Sequence, residues 1–231
     1  HDSTDATSAK KSVSSYSHLL KNNFDPKKIK IGIPQEYFLP QMDQKVREKI
    51  EEAIKKLEKM GFITKKINLL DPKYSIAVYT IIQRAEVSSN LARYDGIRYG
   101  LSRQHFGLEA QRRIMLGTYV LSAGYYDQYY TVAQKVRTLI CQDFDRAFKE
   151  VDVIVAPTSP TTALKIGESA KSPMFGEMQD VLVEASSLAG LPGISINCGF
   201  VDNLPVGIQF FAPKFKEDLI LQIAHYFENN G

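Results

Sequence analysis

A short apolar run at residues 151–156, with sequence VDVIVA, constrains the fold of this chain more than any other stretch. It is rich in β-branched residues, and Pro157 and Pro160 follow it. Such runs are typical of strands that are buried on both faces of a sheet and lead into a loop. The sequence therefore predicts a sheet that is covered by helices.

Strand and helix patterns alternate through the rest of the chain. Asp43 is placed to cap a helix that Gly61 ends, and the pair Asp202-Asn203 predicts a hairpin between two late strands. The order of these elements predicts the α/β fold class. The predicted strands are residues 30–34, 62–70, 151–156, 194–200 and 206–211, and the predicted helices are residues 44–60, 75–94, 177–189 and 216–229, with further helices in 107–148.

The composition is that of an ordinary globular protein and argues against several other classes of protein. Apolar residues make up 44% of the chain and charged residues 24%, and a net charge of +3 is too small to indicate a nucleic-acid partner. Residues 1–26 form a polar, extended lead-in without the apolar segment of a secretory signal. Apolar runs stay short of the ~18 residues of a membrane-spanning helix, so we expect no membrane partner.

The two cysteines indicate the redox setting. Cys141 and Cys198 lie in segments predicted as a buried helix and a buried strand, and the sequence has neither a CxxC motif nor paired histidines. This pattern favours a reducing compartment and argues against a metal site.

The stretch 107–148 divides into two halves. Arg112 and Arg113 precede three apolar residues, so at least one guanidinium should lie against apolar surface and have an anionic partner, either a neighbouring carboxylate or a substrate. The tyrosines of the stretch are interpreted as packing. In its second half, helical spacing predicts a core-facing stripe of Val132, Val136, Leu139, Ile140, Phe144, Ala147 and Phe148.

Catalytic motifs are scarce. The sequence has no GxSxG elbow, no HExxH motif and no phosphate-binding glycine loop, and its four histidines are scattered. The paired serines at 88–89 and 186–187 have no lysine or histidine base at a local spacing. These residues indicate a substrate-binding or structural half of a protein more than a complete catalyst.

Three polar side chains are the best candidates for binding. Arg113 can grip a carboxylate with two parallel hydrogen bonds, Asp180 precedes an apolar helix and could receive an ammonium group, and Tyr79 lies on an apolar helix face. A purely structural interpretation is also open. In it, Arg113 pairs with Asp180 or Asp127, Asp180 caps its helix and Tyr79 belongs to the core.

A series of segments resembles the amidase-signature family, and within it the A subunits of glutamyl-tRNA(Gln) amidotransferases. The most specific is RRIMLGTYVLSAGYYDQYYTVAQKVRTLI at residues 112–140. The supporting segments are HDSTDATS, KIGIPQEYF, AEVSSNLARYDGIRYG, APTSPTTALKIGE, and SLAGLPGISINCGF with LPVGIQFF, at residues 1–8, 30–38, 85–100, 156–168, 187–200 and 204–211.

The resemblance implies a large mixed β-sheet covered by helices, of which residues 1–231 would be the C-terminal part of a single domain. It implies a glutaminase that works with subunits B and C and supplies ammonia for converting Glu-tRNA(Gln) to Gln-tRNA(Gln). ATP and Mg²⁺ are expected on a partner subunit, and the cytoplasm or an organellar matrix or stroma is the expected compartment.

The resemblance also implies roles for individual residues. Arg113 matches the residue that holds the α-carboxylate of glutamine, Asp180 the residue that receives the α-ammonium, and Tyr79 a tyrosine that lines the site. The Ser–cis-Ser–Lys triad of the family is expected upstream of this chain, so no catalytic residue is assigned and the segment alone is expected to be inactive. The alternatives are another amidase-signature amide hydrolase or a non-catalytic scaffold remnant.

Overall fold

A computed structural model describes residues 1–20, 24–168 and 178–230, and it contains a five-stranded mixed sheet. The strand order is β2-β1-β3-β5-β4; β1 runs parallel to β2 and β3, whereas β5 is antiparallel to β3 and β4. The strands are β1 (Lys30–Pro34), β2 (Ile63–Ile67), β3 (Val153–Pro157), β4 (Gly193–Val201) and β5 (Leu204–Phe211). The helices are α1 (Tyr16–Leu19), α2 (Gln44–Lys59), α3 (Lys73–Leu91), α4 (Leu108–Val120), α5 (Thr131–Ala147), α6 (Glu184–Ala189) and α7 (Glu217–Asn229), with a π-helix at Tyr126–Tyr130.

The strand β3 is buried on both faces, as its apolar run predicts. Ile154 and Ala156 belong to the core on one side of the sheet, where α3, α5 and α6 pack, and Val153 and Val155 belong to the core on the other side, where α2 and α7 pack. Because successive side chains of a strand point to opposite faces, one short run supplies both cores. The predicted α/β class, with a helix-covered sheet, is confirmed.

The local signals at α2 and at the hairpin are also confirmed. The Asp43 carboxylate accepts hydrogen bonds from the backbone amides of Lys45 (2.8 Å) and Val46 (3.1 Å), which is an N-cap. Asp202 and Asn203 have φ angles of 49° and 65° between β4 and β5, and two successive positive φ values fit the tight turn of a hairpin.

The second strand is shorter than its sequence pattern predicts. It ends at Ile67, and the amides of Leu69 and Leu70 bond to carboxylates instead of a neighbouring strand. The amide of Leu69 donates to Glu36 Oε2 (3.0 Å) and that of Leu70 to Asp143 Oδ2 (2.6 Å). These carboxylates come from two other parts of the chain and fix the connection into α3.

The apolar stripe predicted for α5 is partly wrong. Ile140, Phe144 and Ala147 are buried, but Val132 is 49% exposed and Leu139 55%. Each exposed residue precedes a buried one, Ala133 or Ile140, and is therefore turned about 100° from the centre of the buried face. The buried face is narrower than the sequence suggested.

The tyrosines before α5 pack mainly on one another. The ring centroids of Tyr119 and Tyr125 are 4.2 Å apart, and Tyr129 stacks next to Tyr125 at 6.1 Å. These three rings are between 37% and 47% exposed, so they form a surface array and not part of the core. The hydrogen bond with Tyr125 raises the pKa of Tyr119 to about 12.

The described residues contain no helix that is long and apolar enough to cross a membrane. Both cysteines are half-buried instead of fully buried, and they are free thiols. Burial raises the pKa of Cys198 to about 11.

Candidate functional site

Arg113 lies on α4 and is bound by a carboxylate of its own helix. Its Nε donates to Glu109 Oε1 at 2.8 Å, while Arg112 Nη1 donates to Glu109 Oε2 at 3.3 Å. The side chain of Arg113 is 33% exposed and that of Arg112 is 59% exposed, so Arg113 is the guanidinium that lies against protein surface. The hydrogen bond from Arg113 lowers the pKa of Glu109.

Glu109 is a functional candidate that the sequence patterns did not single out. Glu109 is a partner of Arg113 from within α4, and the structural alternative, in which Arg113 pairs with Asp180 or Asp127, stays a prediction. The signal was present, since a glutamate four residues before an arginine on one helix is placed for an ion pair. This contact orients the guanidinium from within its own helix.

Tyr79 lies on α3 and is half-buried against the core on the helix-rich side of the sheet. Its neighbours Ile76, Val78 and Ile82 are buried in that core. The predicted apolar setting of Tyr79 is therefore confirmed, and its binding role stays a prediction.

Asp180 is exposed and precedes α6 instead of capping it. The N-cap of α6 is Val183, and the Asp180 carbonyl accepts hydrogen bonds from the amides of Val183 (2.9 Å) and Glu184 (3.3 Å). The predicted helix 177–189 is thus interrupted by a turn at residues 180–183, while residue 177 lies outside the described part of the chain. Within this turn, Val181 and Leu182 are buried in the core, at 2% and 0% exposure.

The elements that carry these three residues pack against one another. Helix α3, with Tyr79, contacts both α4, with Arg113, and α6, which follows Asp180. The approach of α3 to α4 is close: Ser88 Oγ lies 2.9 Å from Thr118 Oγ1, and a Cβ added at Gly117 would lie 1.9 Å from the Arg84 carbonyl oxygen. The three predicted residues therefore belong to one side of the sheet and to neighbouring elements.

A cavity of about 550 Å³ adjoins the 180–183 turn on another flank. Its lining includes Pro160, Thr161, Gln179 and Val181, and Thr161 Oγ1 donates to Gln179 Oε1 at 2.7 Å. The lining contains none of the three predicted residues. The cavity therefore borders the residues on both sides of Asp180 without being lined by Asp180 itself.

No described group of histidine, cysteine, aspartate and glutamate side chains has an arrangement that could hold a metal ion. The candidate site consists of one cation, one anion and one phenol. Such a set can orient a small molecule that carries both charges.

Comparison with known proteins gives consistent matches. Residues 1–221 match the sequence model of the family described as Amidase. The A subunit of glutamyl-tRNA(Gln) amidotransferase from Desulforamulus reducens is 49% identical, and its counterpart from Carboxydothermus hydrogenoformans is 48% identical. Both matches cover 100% of this chain and 50% of the relative, so the chain spans about half the length of these relatives.

Solved structures agree with this match. The crystal structure of the glutamyl-tRNA(Gln) amidotransferase A subunit from Thermotoga maritima superposes with a TM-score of 0.78 at 36% identity, covering 100% of this chain and 48% of that one. A bacterial aryl acylamidase of the amidase-signature family superposes with a TM-score of 0.70 at 18% identity, over 93% of this chain and 46% of that one. The second likeness shows a shared fold only.

Proposed function

This chain belongs to the amidase family, and on that basis we propose that it is part of the glutamine-hydrolysing A subunit of a tRNA-dependent amidotransferase. In this proposal the chain carries the glutamine pocket, and the Ser–cis-Ser–Lys triad lies in a part of the enzyme outside these 231 residues. The observation that carries the proposal is the match, along the whole chain, to relatives named as that subunit.

The chemistry of the candidate site supports a free amino acid as substrate. Glutamine presents one carboxylate and one ammonium on the same carbon, and opposite fixed charges can orient it while its amide reaches a nucleophile. Arg113 would bind the carboxylate with its planar fork, Asp180 would bind the ammonium, and Tyr79 would line the space beside them. Glu109 would support this role, because it holds Nε of Arg113 at 2.8 Å.

The proposal extends to partners, which are those that the family resemblance implies. We expect the chain to act with subunits B and C, which would bring Glu-tRNA(Gln) and the ATP and Mg²⁺ that activate it. The ammonia released from glutamine would react with the activated Glu-tRNA(Gln) that these partner subunits hold. The expected compartment is the cytoplasm or an organellar matrix or stroma.

The first test replaces Arg113 in the full-length enzyme assembled with its partners. Arg113→Ala removes a charge-assisted pair of hydrogen bonds, so we expect kcat/KM for glutamine hydrolysis to fall about 30- to 1000-fold. This corresponds to a loss of roughly 2–4 kcal/mol of transition-state stabilisation. Ammonia release under steady-state conditions measures this.

The matched control is Arg112→Ala, which removes an identical side chain from the adjacent position and also loses a contact with Glu109. We expect it to leave kcat/KM within about threefold of the parent enzyme, since exposed ion pairs contribute little. Equal losses in the two variants would contradict the assignment of Arg113 to the glutamine site.

Intact mass and substrate range separate the alternatives. A native molecule of 26.0 kDa without glutaminase activity would favour a scaffold role. A larger, active molecule that hydrolyses simple uncharged amides as well as glutamine would favour another amide hydrolase of the family.

A further inference from the structure

We propose that Gln209 is a positioning residue for recognition of the α-ammonium group of the substrate, an inference that rests on the proposed function. Gln209 lies on β5, between β3 and β4, where it pairs with Ala156 on one side and Ser195 on the other. It is only 4% exposed. Its side chain forms a hydrogen bond that connects the sheet to the turn that carries Asp180.

The contacts of the Gln209 amide are specific. Its Nε2 donates to the carbonyl oxygen of Leu182 at 2.9 Å and to that of Pro157 at 2.8 Å. Both hydrogen atoms of the amide nitrogen are thereby used. One bond holds the turn at residues 180–183, and the other holds the end of the central strand β3.

Packing alone does not explain an amide at this position. The neighbouring residues Ile208, Phe210 and Phe211 are at most 1% exposed, and a buried amide destabilises a protein unless its hydrogen bonds are made. A methionine of similar volume would fill the same space. What the amide adds is a pair of hydrogen bonds that fix two backbone carbonyls relative to the sheet.

The path from Gln209 to Asp180 is short. Leu182 is two residues beyond Asp180 and fully buried, and the Asp180 carbonyl is bonded to the amides of Val183 and Glu184 within the same turn. Restraining the Leu182 carbonyl therefore restrains the backbone that bears the Asp180 carboxylate. Helix α6 is held at its other end as well, where Arg137 Nε donates to the Leu188 carbonyl at 2.9 Å.

A displacement of Asp180 should affect one part of the substrate only. Displacements of about 1 Å at a binding group can cost up to ~100-fold in rate. Arg113 is held by α4 and Glu109, so the carboxylate of glutamine should still be bound correctly when the 180–183 turn shifts. Loss of the Gln209 bonds should then weaken recognition of the ammonium group selectively.

The test compares three substrates in the full-length enzyme. Glutaramate is glutamine without its α-ammonium, and 4-aminobutanamide is glutamine without its α-carboxylate. For Gln209→Met we expect the kcat/KM ratio of glutamine to glutaramate to fall about tenfold or more, because the advantage that the ammonium gives is lost. The ratio of glutamine to 4-aminobutanamide should stay within about twofold of the parent value, since both substrates carry the ammonium.

Two further variants make the result decisive. Gln209→Asn keeps the amide but shortens it, so that it cannot reach both carbonyls; it should show the same selective loss and replaces Gln209→Met if that variant does not fold. Gln222→Met makes the same chemical change on α7, on the opposite side of the sheet, and should change neither ratio.

Asp180→Asn separates failure of this inference from failure of the proposed function. If Asp180→Asn leaves the glutamine-to-glutaramate ratio unchanged, Asp180 does not bind the ammonium and the proposed site is wrong. If Asp180→Asn lowers that ratio but the Gln209 variants reduce kcat/KM equally for all three substrates, Gln209 has only a structural role and the inference is overturned.

Discussion

At the scale of single residues, Gly117 shows how closely the helices that carry Tyr79 and Arg113 approach each other. A Cβ at this position would lie 1.9 Å from the Arg84 carbonyl oxygen and 2.6 Å from Ser88 Cβ. The first of these atoms belongs to the backbone of α3, so it cannot move aside as a flexible side chain could. Only glycine allows α4 to pack at this distance.

We therefore expect Gly117→Ala to lower the free energy of unfolding by about 1–3 kcal/mol, because overpacking forces the two helices apart. Urea denaturation of the full-length protein measures this change. Gly107→Ala, just before α4, is the control, since an added Cβ there meets no atom within 4 Å. An unchanged midpoint for Gly117→Ala would show that α3 and α4 separate at little cost.

Arg113 and Glu109 are also best understood at this scale. Their bond depends on two residues one helical turn apart, and such pairs stabilise a helix by only a few tenths of a kcal/mol. In the proposed site, this contact would orient the guanidinium more than it would stabilise the helix. A half-buried guanidinium that is already held at Nε loses less conformational freedom when it binds a carboxylate.

At the scale of elements, α2 is specified locally. Its buried residues recur at helical spacing, at Val46, Ile50, Ala53, Ile54 and Leu57. Asp43 caps its first turn, and Gly61 follows its end with a φ of 100°, which favours glycine. Each of these signals can be recognised within a window of about 20 residues, since caps and helical spacing are local features.

Removing the cap of α2 should destabilise the protein, and restoring an oxygen acceptor should recover the lost stability. We expect Asp43→Ala to lower the free energy of unfolding by about 1 kcal/mol, because the amides of Lys45 and Val46 lose their acceptor. Asp43→Ser, which restores an oxygen acceptor, should recover most of the loss. Chemical denaturation of the three proteins measures both changes, and equal destabilisation by alanine and serine would argue against a capping role.

Helix α6, unlike α2, is not specified by local signals alone. Periodicity predicted a helix over 177–189, but α6 begins at Glu184, since Leu182 is fully buried and its carbonyl is bonded to Gln209 from β5. The bound carbonyl belongs to a residue 27 positions away from Gln209 along the chain. Local patterns contain no information about such a contact.

At the scale of the whole molecule, Phe211 connects parts of the chain that are distant in sequence. It is 1% exposed on β5, and its ring lies 6.5 Å from that of Tyr37 and 6.3 Å from that of Phe144, measured between centroids. Tyr37 follows β1, and Phe144 belongs to α5. One aromatic cluster therefore joins strand β5, the segment after β1 and helix α5.

We expect Phe211→Ala to destabilise the protein by about 3–5 kcal/mol, since it removes a fully buried ring and leaves a cavity. Phe200→Ala, on the adjacent strand β4, is the control: that ring is 59% exposed and should contribute less than about 1 kcal/mol. Thermal unfolding followed by circular dichroism measures both. Similar losses in the two variants would mean that Phe211 is not central to the core.

Local sequence was sufficient to establish the class of fold, the places of most strands and helices, and the family. These features depend on alternation, helical spacing, caps and short motifs, which are properties of neighbouring residues along the chain. The pair Glu109 and Arg113 could also have been recognised from its spacing alone, because helix geometry places residues four apart on one face.

Tertiary contacts were needed to establish where β2 ends, where the helix after Asp180 begins, which apolar residues of α5 are exposed, and what the buried amide of Gln209 binds. The deciding hydrogen bonds join residues from different elements: Asp143 holds Leu70, 73 positions away, and Gln209 holds Pro157, 52 positions away. Backbone amides and carbonyls bind whichever partner folding brings to them, and buried ones must find one. The ends of these elements therefore followed from packing and not from local propensity.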